Sequence, residues 1–508
     1  MIHTRRVRRP LRSSQAESPV VAPVRPSPGS PREIARKMAL EGAIRLARHG
    51  ALPATAPLVP AMESPALTRP RHGPFAGFRP AIRTIVAAIT LLVTASAVNA
   101  QVASANPAAL GMGENFTAAA RGIDAVAWNP SALGLSRGRP SFVTLAIRGA
   151  SGLGPVSLGN LSDYSNVLVP DLVKQDWLSS IVAGGGQAGS GGADVTWVGL
   201  QLGHFAVHAS SSARLIADVS PGIAELILFG NVDENGSATS LDLSGSSLAG
   251  FAWSAVGASF SQPIPTAGGV AAVGVTVKYV VGHGMAMGRN STGAAQTSPI
   301  GVHADFPLVH SDFTSGSFGF DNGHGAGVDV GVSLLQGDWT ISGVVRNVVN
   351  SFAWNPDRLS YRPLSLDLSQ NQAVTQTEAM ALAAAPEEVR AEISALAFKP
   401  VYAAGLEYRY APDLRFTADA RFSGTGGLVV EPTRHVGAGL EYLLADWLPL
   451  RLGGAMIAMG DDADGWQAGA GFGLHLGPWS LSASAMRQNT GRLGNATIVM
   501  ISMFGTGY

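Results

Sequence analysis

The chain of 508 residues contains no cysteine, and only 14% of its residues are charged. The absence of cysteine excludes disulfide bonds, zinc–thiolate sites, iron–sulfur clusters and an acylated lipoprotein cysteine. Soluble domains average about 25% charged residues, so a chain with so few charges exposes much of its surface to something other than water. We expect no cofactor.

The net charge is zero, but the two signs are unevenly distributed. Residues 1–100 contain 15 Lys and Arg against 4 Asp and Glu, which leaves 20 against 31 for the rest of the chain. The remainder therefore carries a net charge of −11. An acidic chain lacks the basic surface on which nucleic acids bind, so we expect no nucleic-acid partner.

Residues 1–80 are rich in Arg, Pro, Ala and Ser and have no sustained apolar period. Such a composition cannot bury enough apolar surface to offset the entropy lost on ordering, so we predict a disordered basic extension. An assigned start that lies upstream of the true one would also explain it, because an export signal follows.

Residues 81–100 have the pattern of a signal peptide. Arg79 and Arg83 precede an apolar run from Ile85 to Val93, and Ala-x-Ala and Val-x-Ala cleavage patterns follow it. The apolar run is too short for a membrane-spanning helix, which needs about 20 residues. The sequence thus predicts export and a mature chain beginning near Val98 or Gln101.

Downstream of residue 136 the dominant pattern is period-two alternation. Leu406, Tyr408 and Tyr410 alternate with charged residues, and the pattern resumes after a turn at Pro412-Asp413. Similar segments lie at about 141–149, 193–201, 203–216, 248–262, 269–286, 325–335, 338–349, 414–422, 434–443, 448–459, 466–476, 479–488 and 495–505, with weaker candidates at 237–245, 298–312 and 358–369.

A two-sheet sandwich and a lipid-facing barrel would both show this alternation, but the number of strands decides between them. A closed sheet removes unpaired edges, and transmembrane barrel strands run about ten residues with polar residues facing the lumen. We therefore predict an all-β fold: a single transmembrane antiparallel β-barrel of about 14 strands over residues 136–508, located in a bacterial outer membrane and in contact with outer-membrane lipid.

The segment before the barrel, residues 101–135, is too rich in Gly and Ala to pack well as a strand. We predict that it folds inside the barrel as an N-terminal plug, and we call it the hatch. The residues that mark it are Gly111, Gly113, Phe116, Asp124, Trp128, Asn129 and Pro130.

This order of residues, Leu-Gly followed by a small-residue segment, an acidic residue and Asn-Pro-Ser, resembles the hatch of FadL-like (long-chain fatty-acid transporter-like) outer-membrane barrels. Ser131 stands where that family has Ala. Related type IX secretion-associated barrels carry a similar segment. The segment Gly325 to Asn350, a strand followed by a hairpin, and the alternating last strand, which contains Phe504, add to the resemblance. It implies recognition of the last strand by the outer-membrane assembly machinery.

Charged residues on the polar face of the strands are expected to line the lumen as ion pairs. Unpaired charges there would be costly, so we interpret their role as structural first. The predicted lumenal polar residues are Asp329, Glu407, Arg409, Arg415, Asp419, Arg421, Arg434, Glu441 and Arg451.

Three segments fit helices better than strands and are expected in loops: 169–183, 220–229 with Ser220 as its cap, and 377–398 with a new start at Pro386. They either cap the barrel mouth or form a hydrophobic capture site. The acidic clusters at 461–464 and 233–236 are interpreted as solvated turns. His204 and His208 are too far apart along a strand to share a metal ion, so we expect no metal site.

No nucleophile elbow, phosphate-binding loop or His-Glu-x-x-His motif is present in the sequence, so we expect no enzyme. The resemblance implies passive uptake of small hydrophobic molecules by a monomer. The alternative is a docking or assembly barrel for secreted proteins that transports nothing. A continuous apolar path between the loop helices and the hatch would favour uptake, and a plugged lumen under a large apolar loop surface would favour docking.

Overall fold

The computed structural model describes residues 103–104, 106–136, 140–230, 240–290, 292–297, 300–311, 319–367, 378–424, 428, 432–458, 465–490 and 494–506. The predicted extension and signal peptide, residues 1–100, lie outside the described residues. So do the two acidic turns at 233–236 and 461–464.

The described strands, in chain order, are β1 (Ser141–Gly154), β2 (Gln187–Leu202), β3 (Phe205–Val219), β4 (Leu241–Asp242), β5 (Ser247–Thr266), β6 (Gly269–Arg289), β7 (Thr292–Thr297), β8 (Ile300–Ser311), β9 (Gly323–Gln336), β10 (Trp339–Asn350), β11 (Ala353–Trp354), β12 (Leu359–Asp367), β13 (Met380–Ala381), β14 (Val401–Ala411), β15 (Leu414–Ser423), β16 (Arg434–Ala445), β17 (Leu448–Ala458), β18 (Gly465–Leu476), β19 (Trp479–Thr490) and β20 (Gly494–Thr506).

Fourteen of these strands form a closed antiparallel barrel: β1–β3, β5, β6, β9, β10 and β14–β20. The ring closes where β1 pairs with β20, from Ser141 opposite Thr506 to Leu153 opposite Asn495. Because every barrel strand has a partner on both sides, the sheet leaves no edge of unpaired backbone groups. The predicted fold class is confirmed.

The two ends of the barrel differ in their connections. At one end, which we call the turn end, six strand pairs are joined by two-residue turns, as at Gly337-Asp338 between β9 and β10. Gly337 has φ of +59°, a backbone conformation that tight hairpins require and that glycine adopts without strain. The opposite loop end carries the long connections. The weaker strand candidates correspond to β4, β8 and β12, which lie in these connections and not in the barrel ring.

The outer face of the barrel is apolar and carries aromatic residues near the turn end. Trp339 and Tyr408 stack with their ring centroids 4.3 Å apart, and Tyr410 lies beside Tyr408 and Phe416. Large exposed apolar side chains such as Val256 follow along the strands. An apolar band bordered by aromatic side chains suits the boundary between hydrocarbon and headgroups.

The described helices are short and lie in the hatch and the loops: α1 (Pro107–Gly111), α2 (Ala125–Trp128), α3 (Leu158–Asp163), α4 (Asp171–Ala183), α5 (Pro221–Phe229) and α6 (Glu387–Ala395). Short 3-10 helices cover Gly122–Asp124, Pro130–Leu135, Pro356–Arg358 and Leu382–Ala384. None of the described helices is both long enough and apolar enough to cross a membrane.

Two details of the predicted helices differ from the structure. Ser220 occupies the N-cap position of α5, but its hydroxyl donates to the carbonyl oxygen of Leu243 and does not cap the helix. Within the described part of the segment 377–398, the α-helix covers only α6, which begins after Pro386, since residues 380–384 form β13 and a 3-10 helix. A proline cannot donate to a preceding helical turn, so a helix starting after it is the expected outcome.

Candidate functional site: the hatch and the lumen

The hatch begins with a capped helix and continues through two residues in the left-handed backbone conformation. The Asn106 side chain accepts a hydrogen bond from the Ala108 backbone at 2.8 Å and starts α1. Gly113 and Glu114 then adopt φ of +64° and +62°, which turns the chain along the barrel wall. Gly111 is packed so closely that an added Cβ would lie 2.9 Å from the Ser484 hydroxyl.

The larger side chains of the hatch form its buried centre. Met112, Phe116, Ile123 and Val126 are each at most 2% exposed, and Trp128 is 6% exposed. Phe116 packs edge-on against Trp128 with ring centroids 5.7 Å apart. Because these side chains are enclosed by the barrel wall, the hatch is packed like a protein core and not like a loose linker.

Glycines in the wall allow the hatch backbone to touch the strands. A Cβ on Gly274 of β6 would collide with the backbone between Pro130 and Ser131, and one on Gly331 of β9 would collide with the Asn129 side chain. On the far side of the lumen, Gly453 faces Met112 in the same way. Glycine at such positions permits a close approach of two backbones that any side chain would prevent.

Asn129, Pro130 and Ser131 form a latch against β9. The Asn129 Oδ1 accepts hydrogen bonds from the Ser131 backbone at 3.2 Å and from the Ser131 hydroxyl at 2.7 Å. Its Nδ2 donates to the Ser333 hydroxyl at 3.2 Å, and the hydroxyls of Ser131 and Ser333 lie 2.7 Å apart. The Ser131 carbonyl also accepts from Ser261 of β5 at 3.1 Å. Because these groups are buried, breaking the latch would leave several of them unsatisfied.

Asp419 of β15 holds the middle of the hatch. One of its carboxylate oxygens accepts the backbone N–H groups of Phe116 and Thr117, both at 2.8 Å. Asn115, which precedes Phe116, also contacts the wall. Its Oδ1 lies 3.0 Å from Nε2 of His435 in β16, and its Nδ2 donates to the Gly454 carbonyl of β17 at 3.1 Å. Hydrogen bonds to an ionised acceptor are stronger than neutral ones, so Asp419 is a firm anchor.

Glu114 extends the hatch toward the loop side of the lumen. Its carboxylate lies 3.2 Å from Arg421 of β15 and 3.6 Å from Arg148 of β1. Burial raises the pKa of Glu114, but the charges of Arg421 and Arg148 outweigh it and hold that pKa below its ordinary value. Arg421 also lies over the Trp128 ring at 5.5 Å. A small cavity of about 90 Å³ borders Glu114, Arg148 and other polar residues.

Near the turn end, four arginines share two glutamates. Glu407 contacts Arg121 of the hatch at 2.5 Å, Arg415 at 3.2 Å and Arg409 at 3.6 Å. Glu441 contacts Arg415 at 2.9 Å and Arg451 at 2.7 Å. This arrangement joins the hatch to β14–β17 through charge-assisted hydrogen bonds.

A buried lysine fixes a bulge in the wall. Lys278 of β6 lies 2.7 Å from Asp329 and 2.6 Å from the Asn347 side-chain oxygen. Asn347 has φ of +63°, and β10 carries extra residues between Val345 and Val349 relative to β9. The Asp329 carboxylate also accepts the Asn347 backbone N–H at 2.6 Å. The cluster stabilises a backbone geometry that an asparagine tolerates better than most residues.

The structure places eight of the nine predicted lumenal residues on the inner face, but Arg434 lies elsewhere. It is exposed and precedes His435, which faces inward, so Arg434 lies on the outer side of β16 at the loop end. His204 belongs to the turn before β3, whereas His208 is buried in the wall. Phe504 is buried on the inner face of β20.

Several residues that hold the hatch or shape the wall around it were not predicted from the sequence. Glu114, Asn115 and Arg121 belong to the hatch itself, and Lys278 and the wall glycines belong to the strands. A charged or amide residue inside a Gly/Ala-rich segment was the available signal for the first three. Among the described residues, no cluster of His, Asp and Glu is arranged to hold a metal ion.

The loop end is apolar both inside and outside the barrel mouth. Above the hatch, aromatic side chains pack together, with Trp253 and Phe352 each in edge contact with Phe398. This cluster is continuous with the buried side chains of the hatch. Beyond it, α4 and α5 bury a second small cluster around Trp177, while Leu168 and Leu172 are 91% and 80% exposed.

A fourteen-stranded barrel closed around a segment that precedes its first strand is a specific architecture. It is FadL-like. Among solved structures, the chain is similar to a Pseudomonas aeruginosa FadL homologue, with 13% identity, a TM-score of 0.46 and coverage of 81% of this chain and 99% of the other. The P. putida toluene transporter TodX is 11% identical, with a TM-score of 0.42 and coverage of 80% of this chain and 98% of the other. The CymD monoaromatic hydrocarbon channel is 11% identical, with a TM-score of 0.43 and coverage of 80% of this chain and 97% of the other. No protein-family model and no curated protein sequence matches the chain.

Proposed function

We propose that this FadL-like barrel lies in a bacterial outer membrane and mediates passive uptake of small hydrophobic molecules. The observation that carries the proposal is the apolar surface at the loop end. Leu168 and Leu172 are almost fully exposed, and Leu158 and Ile227 are 63% and 73% exposed. Large apolar side chains left exposed in the loops at one end of the barrel suit an apolar ligand or partner.

Binding at this surface would follow from apolar burial, at about 25 cal/mol for each Å² removed from water. The packed aromatic cluster of Trp253, Phe352, Trp354 and Phe398 belongs to one continuous set of buried apolar side chains that includes those of the hatch. A hydrophobic molecule moving inward would therefore exchange one apolar surface for another. Side-chain rotation in this cluster is the motion that such a passage requires.

The same loop surface would also suit docking of a secreted protein, which is the second candidate, and the filled lumen agrees with it. Docking, however, has no need of apolar side chains continuing from the barrel mouth down to the hatch. That continuity favours uptake. The proposal includes monomeric function and recognition of the last strand by the assembly machinery during insertion.

The test is accumulation of naphthalene, followed by its fluorescence, in intact Gram-negative cells that produce the barrel. We expect the double variant Leu168→Ser/Leu172→Ser to lose most of the barrel-dependent rate, because both changes remove the apolar contact without touching the ring. Asp176→Ser, an exposed change on the same helix, is the matched control and should leave the rate unchanged. Equal rates in cells with and without the barrel would refute uptake.

A further inference from the structure

The outer face of β19 and β20 changes from apolar to polar at one level near the loop end. Coming from the turn end, the last apolar pair on that face is Ala485 of β19 opposite Val499 of β20. The next outward pair is Arg487 opposite Thr497, and both side chains are exposed. Because the change falls between adjacent pairs on both strands, it matches the boundary between hydrocarbon and lipid headgroups.

The distance from the aromatic residues at the turn end agrees with this position. Trp479 lies at the turn end of β19 and packs edge-on against Phe142 with ring centroids 5.4 Å apart. Arg487 follows eight residues later. At about 3.3 Å for each residue this is about 26 Å along the strand, and a tilt of about 40° reduces it to about 20 Å along the membrane normal. Since the apolar band of such barrels is about 25 Å tall, the long Arg487 side chain reaches the opposite headgroup layer.

The charge on the outer face is of one sign. On the described ring strands, alternation with inward neighbours assigns three charged side chains to that face: Arg289, Arg434 and Arg487. All three lie toward the loop ends of their strands, and no carboxylate shares that face in the described parts of the ring. Arg289 pairs with Glu392 of α6 at 3.0 Å, whereas Arg487 has no ion-pair partner among the described residues. The charge of Arg487 is therefore available to the headgroup layer.

Uncharged hydrogen-bonding groups surround Arg487 on the same face. Asn489 and Asn495 lie opposite each other on the loop side of Arg487, and their side chains form a hydrogen bond of 3.1 Å. An amide nitrogen has two N–H groups, so this pair can donate further. Thr497 adds a hydroxyl, and Trp466 of β18, which pairs with Asn489, is 45% exposed. These five residues form a surface that we call the loop-end patch.

We propose that the loop-end patch binds a phosphate-bearing glycolipid of the surrounding leaflet, with the phosphate on Arg487 and the sugar hydroxyls on the neighbouring amide and hydroxyl groups. The inference rests on the outer-membrane location in the proposed function but not on uptake. A planar guanidinium matches a phosphate through two parallel hydrogen bonds, which an ammonium group does not reproduce. The apolar outward side chains on the turn side of the patch, such as Val499, contact the acyl chains of the same lipid.

The experiment is native mass spectrometry of the full chain, purified and delipidated in detergent, with added lipid A, phosphatidylglycerol, a neutral diglucosyl diacylglycerol or inorganic phosphate. We expect lipid A to bind at least tenfold more tightly than the neutral glycolipid and severalfold more tightly than phosphatidylglycerol. Arg487→Gln should weaken lipid A binding about tenfold, as expected for one lost charge-assisted contact, and Arg487→Lys should weaken it less. Arg358→Gln, which removes an exposed loop arginine paired with Asp321, is the matched control and should change nothing.

Any of five outcomes would overturn the proposal: equal binding of lipid A and the neutral glycolipid, equal binding of lipid A and phosphatidylglycerol, tighter binding of inorganic phosphate than of lipid A, unchanged lipid A binding in Arg487→Gln, or barrel dimers in place of lipid-bound monomers. Heat resistance on a gel checks the folding of each variant. Lipid A binding together with failed naphthalene uptake would refute uptake and leave the patch standing. Naphthalene uptake without lipid A binding would refute only the patch.

Discussion

The contact between Gly274 and the hatch offers a direct test of whether the hatch seals the lumen. Replacing Gly274 by alanine places a methyl group against the backbone of Pro130 and Ser131, where no flexible side chain can give way. Overpacking of this kind costs about 1–3 kcal/mol. The strain is relieved if the hatch moves away from β6.

The opposing free energy comes from the latch. Three hydrogen bonds join the latch to the wall: the Asn129 side chain with Ser333, the Ser131 hydroxyl with Ser333, and the Ser131 carbonyl with Ser261. At about 1 kcal/mol net for each, they contribute about 3 kcal/mol, which is similar to the overpacking cost. Since about 1.4 kcal/mol changes an equilibrium tenfold, Gly274→Ala should raise the population of the displaced hatch about tenfold to a hundredfold.

The assay is conductance of the purified barrel in a planar lipid bilayer, with the unmodified chain and the variant compared at equal protein density. We expect Gly274→Ala to open more often and to remain heat-resistant on a gel. Gly149→Ala is the matched control, because a Cβ there makes only an ordinary contact with Val499 at 3.9 Å. If both variants conduct like the unmodified chain, the hatch is not held by close approach to β6 and the reasoning is wrong.

Two further perturbations test the buried charges. Lys278→Met leaves the Asp329 carboxylate buried without its cation and should destabilise the barrel by about 3–5 kcal/mol, measured by urea unfolding in detergent, with partial recovery in Lys278→Met/Asp329→Asn. Because burial raises the pKa of Asp124 from 3.8 to about 7, against the hydrogen bond from Asn106, the folded state binds this proton more tightly than the unfolded state. Stability should therefore fall as the pH rises from about 4 through about 7, and Asp124→Asn should flatten that part of the profile; an unchanged profile would contradict the assignment.

The barrel was predictable because alternation is a local property. Each of the fourteen ring strands overlaps a predicted segment, since apolar and polar residues alternate along at least part of it. Whether a side chain points into the lumen or outward was harder to predict at the ends of strands. Arg434 was assigned to the lumen, but the inward residue is its neighbour His435, and a shift of one residue reverses the face.

The partners of the hatch could not be predicted, because they depend on register between distant parts of the chain. Arg121 meets Glu407, 286 residues away, and Asn115 meets His435, 320 residues away. Composition indicated a segment able to approach a wall closely, but not which strand it approaches. The bulge at Asn347 was also missed, since it interrupts the alternation that revealed the strand around it.

The pairing of β1 with β20 has a consequence for how the molecule is made. The two strands that close the ring are the first and the last to be synthesised, and Val143 and Phe504 meet across it. The hatch immediately precedes β1, so it is available throughout the synthesis of the wall that will enclose it. Pairing of such distant segments is slow, because the chain loses the entropy of closing a long loop before the stabilising contacts form. We therefore expect the unclosed sheet to fold around the hatch as a template, with the seam as the final step of assembly.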